Sequence, residues 1–348
     1  MKKTVRTIAI AITLLYITVC LCGCSQREGS SADRGENLQI VATVFPSWDW
    51  ARNVLGSNPA GAELSLLVDN GADLHSYQPT AADMLKISKC DLFICIGGES
   101  EEWVDDAMKN ATNKDMVVVR LLEALGDDAR EEEIVEGMQV SGHDHDGDHD
   151  DDHDDDHDDH DESHHHSGET EYDEHVWLSL KNASKLTSSI CEALKKIDPK
   201  NSSTYDANAH EYISKLDALD GEYTTAVKDA KVSTLLFGDR FPFRYLVEDY
   251  GLKYYAAFAG CSAETEANFE TITFLAKKAD ELSLGSVLTI EGSDGKIAKT
   301  IIDNTRNKDR KILTLDSLQS VTTARIEGGL TYLSAMKDNL SVLKEALT

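Results

Sequence analysis

The sequence predicts an α/β protein with two lobes, each a parallel four-stranded sheet covered by helices, joined by one long rigid helix. Short apolar segments alternate with helix-like stretches in both halves of the chain, the pattern of a parallel sheet with covering helices. The segments lack strict alternation, as expected for strands buried on both faces. One long amphipathic stretch separates the two sets. The 348 residues, 41% of them hydrophobic, suffice for two domains.

The chain begins with a predicted signal peptide at residues 1–23. Basic residues precede a largely apolar run from Ile8 to Val19, which is too short to span a bilayer comfortably. The following Leu21-Cys22-Gly23-Cys24 resembles the bacterial lipoprotein cleavage box, which implies cleavage before Cys24 and lipidation of its sulfur. This would anchor the protein to the membrane, outside the cytoplasm. A plain signal peptide or a buried helix is the alternative. Residues 24–37 are polar and predict a flexible tether.

Two sets of strands define the predicted lobes. Residues 38–202 form the N-terminal lobe, with strands at Leu38–Phe45, Glu63–Val68, Asp91–Ile96 and Met116–Leu121. Helices are expected between them, such as Trp48–Leu55 and Ala81–Ser88. Residues 232–348 form the C-terminal lobe, with strands at Val232–Phe237, Tyr254–Phe258, Ser286–Ile290 and Lys311–Leu315. Its helices are expected at Glu264–Leu282 and Lys296–Thr305.

Residues 203–231 are predicted to form the connecting helix, about 40 Å long at ~1.5 Å per residue. Its apolar positions are spaced by alternating fours and threes, as on one face of a helix: Tyr205, Ala209, Tyr212, Leu216, Leu219, Tyr223 and Ala226. An ordinary core helix of one lobe is the alternative, but the length favours a connection between lobes.

Charge is concentrated in one histidine-rich tract, residues 141–168. The net charge of −29 makes nucleic acid a poor partner, because its phosphates would be repelled. The tract holds thirteen acidic residues and no Lys or Arg, and has almost nothing to bury, so we expect a disordered insertion. A solubilising charge run or an expression tag are alternatives. Closely spaced imidazoles instead predict weak accessory metal binding by His143, His145, His149, His153, His157, His160, His164, His165 and His166.

The cysteines outside the N-terminal segment lack the CxxC spacing of metal sites: Cys90, Cys95, Cys191 and Cys261. Disulfides are allowed outside the cytoplasm, and the sequence leaves the pairing open. For Cys95 and Cys191 we expect a role as small buried apolar residues.

Three histidines lie outside the tract. His75 lies in a loop after the second predicted strand, and His175 lies just before a predicted helix. His210, on the connecting helix, is expected at the surface.

The segments from Gly71 to Pro79 and from Asp173 to Leu178, with the His/Asp-rich tract directly before the second, resemble sequences of the ABC-importer receptors for zinc and manganese, the ZnuA-like family. The segment Gly71 to Pro79 is similar to the family's Gly-Ala-Asp-Pro-His-x-Tyr-x-Pro, with Leu74 in place of the first Pro. The segment Asp173 to Leu178 is similar to Asp-Pro-His-Val-Trp-Leu, with Glu174 in place of Pro. A His/Asp-rich insertion directly before the second motif is typical of zinc-type members. The resemblance extends from about Leu38 to the end of the chain.

The resemblance implies one metal ion in a cleft between the lobes, with His75 and His175 as ligands from the N-terminal lobe. Ligands of parallel sheets bind where loops leave the carboxyl ends of strands, which agrees with the placement of His75. A loop histidine bonded to backbone is the alternative for each.

The ligands from the C-terminal lobe are left open by the sequence. Aligning the aromatic residues puts Gly238 where the family has its third His or a Glu, and glycine has no side-chain donor. Asp239 is the nearest carboxylate, with a salt bridge to a neighbouring arginine as its alternative role. For the family's last acidic ligand, Asp294 aligns better and Glu291 is the other candidate. Asp294 could instead cap a helix that begins near Lys296.

We therefore expect a monomeric extracytoplasmic receptor that captures Zn²⁺ and delivers it to an ABC permease and its ATPase. Two histidines with carboxylates also fit Mn²⁺ or Fe²⁺, but the usual affinity order and the tract favour zinc. A surface metal buffer or adhesin is a second alternative. A zinc hydrolase is disfavoured, because the sequence has neither a HExxH pair nor a Gly-x-Ser-x-Gly elbow, so we expect no enzymatic activity.

Overall fold

The computed structural model describes residues 37–139, 171–262 and 266–348. The predicted signal peptide, the lipidation site Cys24 and the histidines of the tract lie outside the described residues. In the part that is described, no helix is long and apolar enough to cross a membrane.

The N-terminal lobe is built on a parallel sheet with strand order β2-β1-β3-β4. The strands are β1 Gln39–Ala42, β2 Glu63–Leu66, β3 Leu92–Cys95 and β4 Val117–Arg120. The helices described here are α1 Phe45–Leu55, α2 Ala81–Lys89, α3 Trp103–Lys109, α4 Leu121–Leu125 and α5 Leu180–Ile197. The predicted first strand was too long: β1 stops at Ala42 and α1 begins at Phe45, because Pro46 suits the first turn of a helix.

The C-terminal lobe repeats the design with strand order β6-β5-β7-β8, also parallel. Its strands are β5 Thr234–Phe241, β6 Lys253–Ala259, β7 Ser286–Ile290 and β8 Lys311–Leu315. Its helices are α7 Arg244–Tyr250, α8 Phe269–Glu281, α9 Lys296–Asn304, α10 Thr323–Glu327 and α11 Tyr332–Ala346. The predicted fold class of two parallel four-stranded sheets covered by helices is confirmed.

Two predicted boundaries in the C-terminal lobe were wrong. Strand β5 runs on to Phe241 through a break in register after Phe237, so it includes the candidate ligand Asp239. Helix α8 begins at Phe269 instead of Glu264, because the side chain of Asn268 caps it by accepting from the backbone N–H of Thr271.

The long helix, α6, spans Ser202–Lys228, close to the predicted 203–231. Its buried face is the predicted stripe without its last member: Tyr205, Ala209, Tyr212, Leu216, Leu219 and Tyr223. The helix contacts both lobes. Asn208 donates to Val54 O of α1 at 2.9 Å, and the Tyr223 hydroxyl donates to Met336 O of α11 at 2.6 Å. The lobe boundaries stay predictions, because the described residues between Leu38 and Thr348 form one compact unit.

The lobes also meet directly beside the second histidine motif. The indole N–H of Trp177 donates to Ser317 O at 2.7 Å, and the Tyr332 hydroxyl donates to Trp177 O at 2.5 Å. Trp177 and Tyr332 are fully buried, so these bonds are shielded from water. The contact fixes the end of β8, which precedes Ser317, against the segment that carries His175.

Candidate metal centre

His75 is held in a short 3-10 turn, Leu74–Ser76, in the loop that follows β2. The side chain of Asp73 caps this turn by accepting from the backbone N–H of His75 at 3.0 Å. Leu74, which stands where the family motif has Pro, is buried and anchors the turn in the core. The imidazole is only partly buried, with 13% of its side chain exposed.

His175 is buried completely, directly before the 3-10 turn Val176–Leu178. Asp173 Oδ1 lies 2.8 Å from the backbone nitrogen of His175 and 3.0 Å from its Nδ1. A carboxylate on Nδ1 favours a proton at that nitrogen and fixes the orientation of the ring, which leaves Nε2 as the atom available to a metal ion. The side chain of Ser179 then caps α5 by accepting from Asn182 N–H, so the motif is fixed at both ends.

The two imidazoles converge. Their Nε2 atoms lie 3.2 Å apart, and the ring centroids are 5.2 Å apart. On the far side of the first ring, His75 Nδ1 lies 2.6 Å from Ser100 Oγ, in the loop after β3. Each ring therefore has a polar partner at Nδ1 and directs Nε2 into the same space. The predicted meeting of these two histidines is found in the structure.

Gln319, in the segment after β8, reaches the same space from the C-terminal lobe. Its Oε1 lies 3.0 Å from His175 Nε2, and its side chain is buried. Its amide nitrogen is also buried and has no hydrogen-bond partner within the described residues. Sequence analysis missed this residue, because a lone glutamine carries no metal-site signature. Its position directly after a strand of a parallel sheet is where ligands bind in such folds, and could have indicated it.

Cys261 is the third donor that lies close to the histidines. Within the described ranges, donor atoms of His75, His175 and Cys261 lie within 4.8 Å of one another. In the C-terminal sheet, β6 occupies the position that β2 occupies in the N-terminal sheet. Cys261 follows β6 as His75 follows β2, so the two residues occupy equivalent positions in the two lobes. Sequence analysis missed it because it searched only for CxxC spacing. All four described cysteines are free thiols.

Burial and neighbouring charges shift the pKa values of these three side chains in different directions. Burial and the adjacent His175 lower the pKa of His75 to about 3. Burial alone would lower the pKa of His175, but the Asp173 carboxylate and its hydrogen bond raise it overall. Burial and the nearby Glu132 and Asp173 carboxylates raise the pKa of the Cys261 thiol, so the sulfur stays protonated unless a cation lies beside it.

Glu174, which replaces the Pro of the family motif, adds a buried carboxylate behind the histidines. Its Oε1 accepts from Ser100 N–H at 2.7 Å, and its Oε2 lies 3.8 Å from His75 Nδ1. Burial raises its pKa. It supports Ser100, the residue that contacts the His75 ring.

The three candidate carboxylates line one cavity of about 650 Å³ with His75, but each has another partner. Asp239 accepts from its neighbour's backbone, Arg240 N–H, at 2.9 Å. Glu291 accepts from the backbone and hydroxyl of Ser317 at 2.6 and 2.7 Å. Asp294 is exposed, accepts from Lys296 N–H at 3.0 Å and pairs with its ammonium group. These carboxylates therefore stay predictions as ligands. Asp294 bonds to the first N–H of α9, although the N-cap position itself is held by Gly295.

Gly238 has a structural role at the sheet–helix interface. It is buried in β5, and a Cβ there would lie 2.5 Å from the Cα of Ala298 in α9. Its backbone thus packs against a helix. The nearby Arg240 extends to the N-terminal lobe instead of pairing with Asp239.

A second group of potential donors, Cys191, Glu192 and Asp206, lies where α5 meets α6. The ammonium of Lys195 lies 2.8 Å from a carboxylate oxygen of both Glu192 and Asp206. A lysine thus already supplies the positive charge, which makes this group a poor metal site.

Comparison with known proteins then decides the family. The family model described as "Zinc-uptake complex component A periplasmic" (ZnuA) matches residues 40–346. The chain belongs to the ZnuA family. This confirms the resemblance inferred from the two histidine motifs. The ZnuA family comprises periplasmic components of zinc uptake, not enzymes.

One relative of this chain is the high-affinity zinc uptake system protein ZnuA of Bacillus subtilis (strain 168). It is 29% identical over 336 residues, which are 97% of this chain and 96% of that protein. The zinc-binding protein AdcA of Streptococcus pyogenes serotype M3 is 27% identical over 313 residues, covering 88% of this chain and 55% of AdcA. The chain thus spans about half the length of the AdcA relatives.

Solved structures agree with the fold. The Zn(II)-bound ZnuA-like domain of Streptococcus pneumoniae AdcA has a TM-score of 0.65 and 26% identity, covering 89% of this chain and 99% of that one. The metal-dependent lipoprotein YcdH of Bacillus subtilis has a TM-score of 0.67 and 26% identity, with the same coverage.

Proposed function

We propose that this protein is an extracytoplasmic Zn²⁺ receptor that binds the ion between its lobes and delivers it to an ABC-type importer. The ion is cargo, taken up and released. The relatives named for zinc binding and zinc uptake support this proposal, as does the chemistry of the site.

The distance between the two Nε2 atoms is the observation that carries the proposal. Two nitrogens bound to one tetrahedral zinc at ~2.05 Å lie ~3.3 Å apart. The observed separation of His75 Nε2 and His175 Nε2 is 3.2 Å. Both Nδ1 atoms have polar partners, so the rings are oriented before the ion arrives. Zinc would therefore enter a site that needs little reorganisation.

The proposal extends to the segments that the structure does not describe. Lipidated Cys24 would anchor the receptor beside a permease and its ATPase, and one relative is named a zinc-binding lipoprotein. The histidine tract would hold further zinc weakly through its closely spaced imidazoles and so raise the zinc concentration near the cleft.

A zinc titration of single-histidine variants tests the proposal. We expect His75→Ala and His175→Ala each to weaken the tightest binding event by on the order of 100-fold or more, since each removes a ligand. His210→Ala is the matched control, because His210 is exposed on α6. Removal of residues 141–168 should lower the number of weakly bound ions and leave the tight event in place. Tight binding that survives the loss of both cleft histidines would exclude this site.

Manganese is the second candidate ion, because nitrogen and oxygen donors also accept it. The same titration with Mn²⁺ separates the two. We expect zinc to bind more tightly, as the usual order of affinities requires for nitrogen-containing sites.

A further inference from the structure

The loop that carries Cys261 packs closely against the His175 ring. A Cβ on the preceding residue, Gly260, would lie 2.9 Å from Phe241 O and 3.3 Å from His175 Cε1. A side chain here would clash with the backbone oxygen of Phe241 and press on the His175 ring, so glycine suits this close packing. The loop is thus packed directly onto one of the proposed zinc ligands.

Hydrogen bonds then fix the loop from both lobes. Cys261 N–H donates to Glu132 Oε1 at 2.9 Å, and Glu132 belongs to the N-terminal lobe. On the other side, Arg240 Nη1 lies 3.4 Å from Ser262 O. The same guanidinium contacts Asp73, which caps the His75 turn. The position of Cys261 is therefore coupled to that of His75.

The donor set around this space is two imidazole nitrogens, one sulfur and one amide oxygen. Cys261 lies within 4.8 Å of the histidine donors, and Gln319 Oε1 lies 3.0 Å from His175 Nε2. A tetrahedral zinc would place a sulfur and a nitrogen ligand ~3.6 Å apart, so the Cys261 loop needs to close by about 1 Å at most. In contrast, Asp239, Glu291 and Asp294 each have another partner.

We propose that Cys261 is the third protein ligand of the zinc ion, completing with His75 and His175 a two-histidine, one-thiolate site whose fourth donor is the Gln319 amide oxygen. This inference rests on the proposed zinc-receptor function. On binding, the S–H bond breaks, the Zn–S bond forms and the proton leaves to water. Redox chemistry is not involved.

A thiolate ligand has a consequence for ion selectivity. Soft sulfur donors favour Zn²⁺ over Mn²⁺, which prefers carboxylate, carbonyl and water oxygens. Cys261 would then take the place of an oxygen or nitrogen donor that suits both ions. The receptor should discriminate against manganese more strongly than a site built from histidines and carboxylates alone.

Cobalt spectroscopy on the full chain tests the proposal. Co²⁺ bound to a thiolate gives an intense charge-transfer band in the near ultraviolet, whereas the histidine tract contains no sulfur and cannot give it. We expect the band in the unmodified protein and in Cys191→Ser, and its loss in Cys261→Ser. Cys191→Ser is the matched control, because Cys191 is the described cysteine in the rival donor group. A band that persists in Cys261→Ser would overturn the proposal.

X-ray absorption of the unmodified protein with one equivalent of zinc gives a result that needs no variant. We expect one sulfur neighbour at ~2.3 Å with nitrogen and oxygen neighbours at ~2.0–2.2 Å. A shell of nitrogen and oxygen only, with tight binding that depends on His75 and His175, would overturn the Cys261 inference and leave the receptor function intact. Absence of tight zinc binding altogether would instead contradict the receptor function.

The zinc-to-manganese affinity ratio completes the test. Cys261→Ser should lower it by on the order of tenfold or more, because serine offers a hard oxygen in place of sulfur. An unchanged ratio would contradict a ligand role for the sulfur.

Discussion

The guanidinium of Arg240 lies 2.5 Å from Asp73 Oδ2, and this ion pair joins β5 of the C-terminal lobe to the His75 turn of the N-terminal lobe. Both side chains are largely shielded, with 18% and 24% exposed. Asp73 uses its other oxygen to cap the turn that carries His75. The pair therefore links the spacing of the lobes to the orientation of a proposed ligand.

Arg240→Ala should destabilise the protein and weaken zinc binding together. We expect the free energy of unfolding to fall by about 2 kcal/mol, because a shielded carboxylate is left without its partner. The looser His75 turn should lower zinc affinity by about tenfold. Chemical denaturation and zinc titration measure the two effects. Arg306→Ala is the control, since 94% of that side chain is exposed. Equal stability and equal zinc affinity of the two variants would argue against a linking role for Arg240.

Asp173→Asn tests the partner of the buried histidine. Asparagine keeps an oxygen that can accept from the backbone N–H of His175, so the fold should be retained. It removes the carboxylate charge that makes the His175 ring a stronger base, and zinc affinity should fall by about 10- to 100-fold. Isothermal titration with a competing chelator measures the change. Unaltered affinity would mean that Asp173 only holds the backbone.

The first histidine motif and the stripe of α6 could be predicted because local patterns determine them. The His75 loop carries its own cap in Asp73, and the buried residues of α6 follow the helical period. The Cys261 and Gln319 contacts could not be predicted in this way. Each depends on packing between segments that are far apart in the chain, and neither residue type signals a metal site by spacing alone.

Strand β5 shows why the carboxylate candidates were hard to rank from sequence. The prediction ended this strand at Phe237, which would have put Asp239 in a cleft loop. The strand continues through an irregular register to Phe241, and the side chain of Asp239 accepts from the next backbone N–H. A register break depends on how β5 pairs with β6, so the local sequence pattern does not predict it.

Gly238→Ala should destabilise the C-terminal lobe without changing the proposed zinc ligands. The new Cβ would lie 2.5 Å from the Cα of Ala298, so α9 must move away from the sheet. We expect a loss of about 1–3 kcal/mol in the free energy of unfolding. Gly285→Ala is the matched control, because nothing lies within 4 Å of a Cβ at that site. Thermal unfolding compares the two, and equal melting temperatures would refute the packing role.

Glu101→Gln should change how stability depends on pH. The carboxylate of Glu101 accepts from the backbone N–H groups of Ile96 and Gly97, and burial raises its pKa from 4.5 to about 7. Between these values the folded state keeps a proton that the unfolded state has lost. The contribution of Glu101 to the free energy of unfolding is therefore full below about pH 4.5 and falls as pH rises through about 7.

Because glutamine does not titrate, the stability of Glu101→Gln relative to the unmodified protein should rise by about 3 kcal/mol across that pH range. Denaturation at a series of pH values measures the difference. Glu102→Gln, at an exposed neighbouring residue, controls for the loss of one negative charge. A difference that is flat with pH would show that Glu101 is ionised in the folded protein throughout.

Anomalous scattering at the zinc absorption edge, from crystals of the protein loaded with one equivalent of zinc, tests the central claim most directly. We expect the strongest peak between His75 Nε2 and His175 Nε2, at ~2.0–2.1 Å from each. A strongest peak elsewhere, for instance beside Cys191 and Asp206, with the two imidazoles unoccupied, would contradict the account.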